Sequence, residues 1–181
     1  VGEPGVAAPQ AAVDLGRVAI LPGLVNAHTH LELSHLRGAI PPTPNFVDWI
    51  REVIRLRQDY PDPMDARIVA AARAAIQQAR TAGTALVGDI SNTLITQPLL
   101  VHAGMPGVVF YELLGFNRTD PDRAVADARV ALGMLTPSEE VRTTLAAHAP
   151  YSVSPRLFEA IRADLEARGE EAASVHLGES A

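Results

Sequence analysis

Leu21-Pro22-Gly23-Leu24-Val25-Asn26-Ala27-His28-Thr29-His30 is a short apolar run that ends in two histidines one residue apart. On a strand, side chains two apart share a face, with Cα atoms about 6.6 Å apart, so one metal ion can take both imidazoles. The pair follows a buried-type strand. In a parallel α/β barrel the carboxyl end of such a strand lies at the mouth where the site is built.

Upstream, residues 1–10 are a Gly/Pro/Ala-rich lead-in, and residues 13–20 read as a strand or two of a preceding element, or as a linker. Downstream, 31–44 is a long loop carrying Glu32, His35 and Arg37 with Pro41, Pro42 and Pro44, the kind of loop that covers a site. Residues 46–58 have dense apolar positions at helical spacing and predict a lid or inserted helix, with Arg51, Arg55 and Arg57 on one solvated face. The clearest helix is 65–82, whose alanine-rich inner face predicts close packing and which stops at Gly83.

From there short apolar runs alternate with helices. Strands are expected at 84–90, 107–113, 141–147 and 172–177, and helices at 93–103, 120–135 and from Ser154-Pro155 to Gly169. Strands that are apolar at every position are buried on both faces, which means a parallel sheet. The five strands end in His28 with His30, Asp89, Glu112, His148, and His176 with Glu179. A doubly wound sheet gathers its site at one switch point, whereas a barrel brings every carboxyl end to one mouth, so a (β/α)8 TIM-type barrel is favoured. Asp89 is expected to be structural, as a strand-end or cap carboxylate.

Composition bounds the chemistry. With 48% hydrophobic and 20% charged residues over 181 positions, the chain is long enough for one sizeable core. A net charge of −6 without a basic run argues against nucleic acid or an anionic membrane as partner. No apolar run reaches the ~18 residues of a membrane helix, and a cytoplasmic location is expected. Cysteine is absent, leaving only nitrogen and oxygen ligands. All 15 basic residues are arginine, which excludes Schiff-base chemistry and a metal-bridging carbamylated lysine within these residues. The chain opens on Val1 and stops at Ala181, just behind His176 and Glu179, so it is expected to be an excerpt of a longer protein. Five βα units leave edge strands unpaired, and an isolated chain of this length is expected to fold poorly.

Pro22 to His30, His148-Ala149-Pro150-Tyr151-Ser152-Val153-Ser154 and His176-Leu177-Gly178-Glu179-Ser180 together resemble the amidohydrolase superfamily, in its cytosine deaminase-like and chlorohydrolase-like branch. The resemblance covers residue 20 to the end. It implies a small N-terminal β-sandwich, of which residues 1–20 would be the tail, and a hydrolase barrel of which 21–181 would be the first five βα units. It implies one divalent metal, zinc or iron, on His28, His30, His176 and an aspartate after the eighth strand; that aspartate and a histidine after the sixth strand are not in this sequence. Lacking lysine, the site is expected to be mononuclear.

Three neutral imidazoles and a carboxylate suit such an ion, which lowers the pKa of a bound water from ~15.7 toward ~7. Glu179, three residues after His176, is expected to accept that water's proton and pass it on, and His148 to bind the substrate ring or the developing charge. Glu112 and Tyr151 are expected at the pocket mouth in contact with substrate. His102, near a helix end, is expected to be structural.

The function expected is hydrolytic deamination of an aminated purine nucleoside or related heterocycle. Glu32-Leu33-Ser34 and Tyr111-Glu112-Leu113-Leu114-Gly115 resemble aminodeoxyfutalosine- or adenosine-type deaminases of this branch. The same metal-water chemistry also serves dechlorination or cyclic amide hydrolysis. A barrel that has lost activity and serves as a binding or structural module is the non-enzyme alternative. The partner expected is a small heterocyclic molecule, with a homodimer left open as the assembly.

Overall fold

A computed structural model describes residues 13–43, 45–170 and 172–178. Among them the chain runs β1 (Leu24–Thr29), a 3-10 turn (Leu31–Leu36), α1 (Phe46–Gln58), α2 (Ala66–Thr81), β2 (Thr84–Ser91), α3 (Thr96–Ala103), β3 (Gly107–Leu113), α4 (Pro121–Gly133), β4 (Val141–Ala147) and α5 (Pro155–Arg168). The strands form one parallel sheet in the order β1-β2-β3-β4. This order follows the chain without reversal, as in the early part of a barrel and unlike a doubly wound sheet.

Local chemistry starts and stops the helices. Asn45, Asp65, Asp120 and Ser154 each accept a backbone N–H of the following first turn, and Pro121 and Pro155 occupy positions where no donor is needed. Gly169 ends α5 at φ 66°, in the left-handed region that a side chain would disfavour.

The helices cover one face of the sheet. There Val87, Val109, Val141 and Leu145 pack with Ala72, Ile76, Leu100, Ala128, Leu157 and Ile161 in one continuous core. The other, inner face is thin among the described residues: Ile90, Phe110 and Ala146 are buried together, with Val108 and Ala172 against them. Gly88 sits on this face where β1 and β2 pass most closely. A Cβ there would lie 2.3 Å from the Ala27 carbonyl oxygen, so only glycine lets β1 pass just before His28.

Three expectations are corrected. Residues 172–177 form no strand among the described residues. The segment joins the end of β4 through His176 N–H on the His148 carbonyl at 2.7 Å, one backbone hydrogen bond rather than a ladder. Residues 13–23 form no strand either, and residues 1–12, the rest of the expected sandwich tail, lie outside the described residues. Finally, α3 begins at Thr96, not Thr93, because Ser91 to Thr93 are occupied in a side-chain network and Leu94 takes φ 63°. No helix among the described residues is long and apolar enough to cross a membrane.

Candidate metal centre

Strand parity decides which strand-end groups meet. In the parallel register Gly88 pairs with Val108 and Ile90 with Phe110, while Phe110 pairs with Thr144 and Glu112 with Ala146, so these residues line the inner face. Thr29 pairs with Asp89 and Asp89 with Val109, on the helix-covered side. His28 and His30 therefore fall on the inner face with Glu112 and His148, and Asp89 does not.

The three histidines of the expected ligand set converge there. Ring centroids lie 5.2 Å apart for His28 and His30, 4.5 Å for His28 and His176, and 5.3 Å for His30 and His176. One ring nitrogen from each falls within 4.8 Å of the others. Nε2 of His30 and Nε2 of His176 are 3.1 Å apart, close to the spacing of two nitrogens about one small tetrahedral cation, roughly 3.3 Å for metal–nitrogen bonds near 2.0–2.1 Å. Burial, then the neighbouring His176 and His28, push the His30 pKa down to about 4. Its imidazole is neutral at physiological pH, the form a metal requires.

The donor set fits such an ion. Nδ1 of His176 faces two acceptors, the His148 carbonyl at 3.1 Å and Glu112 Oε1 at 3.3 Å, so it carries the ring proton and Nε2 presents a lone pair toward His30. His148 stands beside this ring, centroids 4.8 Å apart. Its Nδ1 lies 2.6 Å from Ser152 Oγ, whose hydroxyl donates to the Ala149 carbonyl. Ser152 therefore accepts from Nδ1–H, and Nε2 of His148 is left as an acceptor. Tyr151 is half exposed, its ring edge-on to His148 at 5.7 Å and to Phe46 of α1 at 6.4 Å. Glu179 lies outside the described residues.

Comparison with known proteins places the chain. The profile of the Amidohydrolase family matches residues 19–181. The chain belongs to this family. Aminodeoxyfutalosine deaminase of Deinococcus radiodurans is 32% identical over 153 residues, 83% of this chain and 34% of that protein. The crystal structure of Helicobacter pylori aminofutalosine deaminase in complex with methylthio-coformycin is similar with a TM-score of 0.74 at 27% identity, covering 88% of this chain and 38% of that one. Atrazine chlorohydrolase from Arthrobacter aurescens TC1, complexed with zinc, has a TM-score of 0.69 at 22% identity, covering 87% and 41%, a likeness of fold alone. The chain spans about a third of the length of the curated relatives it matches.

Within this amidohydrolase chain, Glu32 plays a part that the sequence did not signal. Carried on the loop expected to cover the site, it is buried and accepts from Ser91 Oγ and Thr93 Oγ1 at 2.6 Å, from the Asn92 and Thr93 amides at 3.1 Å, and from Arg57 Nη2 at 3.3 Å. These bonds fasten the turn after His30 to the loop after β2. The traceable signal was the run Ser91-Asn92-Thr93, three side chains able to donate directly behind a strand. Arg57 is corrected with it: it leaves the solvated face of α1, where Arg51 and Arg55 pair with Asp48 and Glu52, and reaches Glu32 and Asn92 Oδ1.

Asp89 closes the same region of the amidohydrolase sheet from the helix side. Fully buried, it accepts the Leu31 amide at 2.8 Å, and burial raises its pKa to about 7 against the opposing Thr96 hydroxyl and that amide.

Proposed function

We propose that this chain carries a metal-binding part of a mononuclear hydrolase that releases ammonia from an aminated purine nucleoside or related heterocycle, aminodeoxyfutalosine- or adenosine-like. The observation that carries this is the convergence of ring nitrogens of His28, His30 and His176 on the inner face, with His148 beside them. These three histidines would hold one divalent ion, zinc first and iron second. When bound, such an ion lowers the pKa of water from ~15.7 toward ~7 and so provides a nucleophile at neutral pH. The identity of the relatives supports deamination over dechlorination, because an adenosine deaminase and an aminodeoxyfutalosine deaminase are 30% and 32% identical while the chlorohydrolase likeness is one of fold.

The remaining roles belong to side chains. His148, its Nδ1 satisfied by Ser152, offers Nε2 to the heterocycle or to a protonated intermediate form of it. Tyr151 and Phe46 form an aromatic wall beside His148 suited to a flat ring. Glu179, three residues beyond His176, accepts a proton from the attacking water and delivers it to a ring nitrogen and then to the departing amine. Water adds to the amine-bearing carbon, the C–N bond breaks, and ammonia and the oxo heterocycle are the products.

The test uses the full-length protein and Glu179→Gln, with ammonia release measured against adenosine-like and other aminated heterocycles. The expected result is release by the wild type and a loss of about 10²-fold or more in the variant, with bound metal retained. Release of chloride or ring opening in place of ammonia, or an unchanged rate in the variant, would contradict the assignment.

A further inference from the structure

Glu112 has a buried carboxylate that the proposed mechanism does not use. Its side chain is 3% exposed. Oε2 accepts from Asn92 Nδ2 at 2.9 Å, and Oε1 has no hydrogen-bond partner although it lies 3.3 Å from Nδ1 of His176. A buried carboxylate oxygen without a partner is costly unless positive charge is generated next to it. Coordination of an ion at Nε2 does this, since it draws charge from the ring and makes Nδ1–H a stronger donor.

Asn92 cannot turn freely to serve another partner. Its Oδ1 accepts from Arg57 Nη1 at 3.1 Å, which directs its amide NH2 to Glu112, and its backbone N–H is held by Glu32. One hydrogen-bonded chain thus runs from α1 through Arg57 and Asn92 to Glu112, whose Oε1 stands 3.3 Å from His176 Nδ1 beside the His148 carbonyl that this nitrogen bonds at 3.1 Å.

We propose that Glu112 is a positioning residue which holds His176 with Nδ1 protonated and Nε2 turned to the ion, and that Arg57 acts through Asn92 to hold Glu112 in place. This rests on the metal site proposed above. It makes metal affinity depend on a residue of β3 that is not itself a ligand, and in smaller measure on an arginine of the helix at the mouth.

Glu112→Gln is the decisive substitution. An amide at 112 must present NH2 either to His176 Nδ1–H or to the Asn92 NH2, and each choice sets donor against donor. Metal affinity of the full-length protein would be measured by competition with a chromogenic chelator, together with the visible absorption of the cobalt-substituted form. The expected result is a loss of about 10–100-fold in affinity with an altered cobalt spectrum for Glu112→Gln, partial recovery in Glu112→Asp, and a loss of severalfold in Arg57→Met. Arg57→Met carries the test if Glu112→Gln does not fold. Wild-type affinity and spectrum in Glu112→Gln, or in Arg57→Met where only that variant folds, would overturn the inference while leaving the metal site intact. A second ion lost in Glu112→Gln would also overturn it, by making Glu112 a ligand. No bound ion in the wild type would remove the metal site itself.

Discussion

On the helix-covered face of the sheet, Val87, Val109 and Leu145 sit in a continuous apolar core, and the Asp89 carboxylate beside them accepts the Leu31 amide. On the inner face, among the described residues, Ile90, Phe110 and Ala146 are buried together, and the next inward positions along β3 and the chain after β4 are Glu112 and His148. Two acids at the ends of neighbouring strands thus have opposite surroundings. Asp89 takes the Leu31 amide on Oδ1 and leaves Oδ2 buried without a partner inside the scaffold, whereas Glu112 Oε1, also without a hydrogen bond, lies 3.3 Å from a histidine of the candidate site. The thick face carries stability, and the thin face is free to hold polar groups that meet something else.

Substitutions that separate the faces sharpen this contrast. Leu145→Ala, at a fully buried position of the helix-covered face, should cost about 3–5 kcal/mol in urea unfolding while leaving the affinity of folded protein for metal within about twofold. A large change in affinity at equal occupancy of the folded state would break the division.

Asp89→Asn should change the pH dependence of stability. The native state keeps the Asp89 proton up to about pH 7 while the unfolded chain loses it near pH 4, so wild-type stability falls as pH rises through that window and levels above it. The asparagine variant lacks this fall and should be the more stable protein at pH 8, by about 2–4 kcal/mol, with no advantage at pH 4. Parallel pH profiles would show that Asp89 is not held protonated.

Glu32→Gln removes the charge from five donors and should cost about 1.5–3 kcal/mol by the same assay, with a weaker loss of metal affinity because the turn after His30 loosens. Tyr151→Ala, at a half-exposed position, should leave stability within about 0.5 kcal/mol and raise KM severalfold if its ring faces the substrate. An unchanged KM would remove Tyr151 from the pocket.

These residues also show what the chain made legible. β3 and β4 have the expected bounds because each is an apolar run between turn-forming residues, and the His-x-His strand is where its pattern put it. Facing was not legible: strands that are apolar at every position give no alternation, so the expectations of a structural Asp89 and a substrate-facing Glu112 had no support in the pattern, and register is what separates the two. The roles of Glu32 and Arg57 depend on contacts 25 to 61 residues apart in sequence, and a charged residue in a loop has no local mark of such partners. The fifth strand failed for a related reason. An extended apolar run signals pairing only if a neighbour supplies it, and residues 172–178 meet the end of β4 with one backbone hydrogen bond, His176 N–H on the His148 carbonyl, rather than a ladder.

The central claim is that His28, His30 and His176 form one metal site. Metal content of the full-length wild type and of His30→Ala, measured by elemental analysis after growth with zinc and separately with iron, addresses it directly. About one ion per wild-type chain, lost in His30→Ala without loss of folded protein, is the predicted result. Equal metal content in the two proteins, or none in the wild type, would contradict the account.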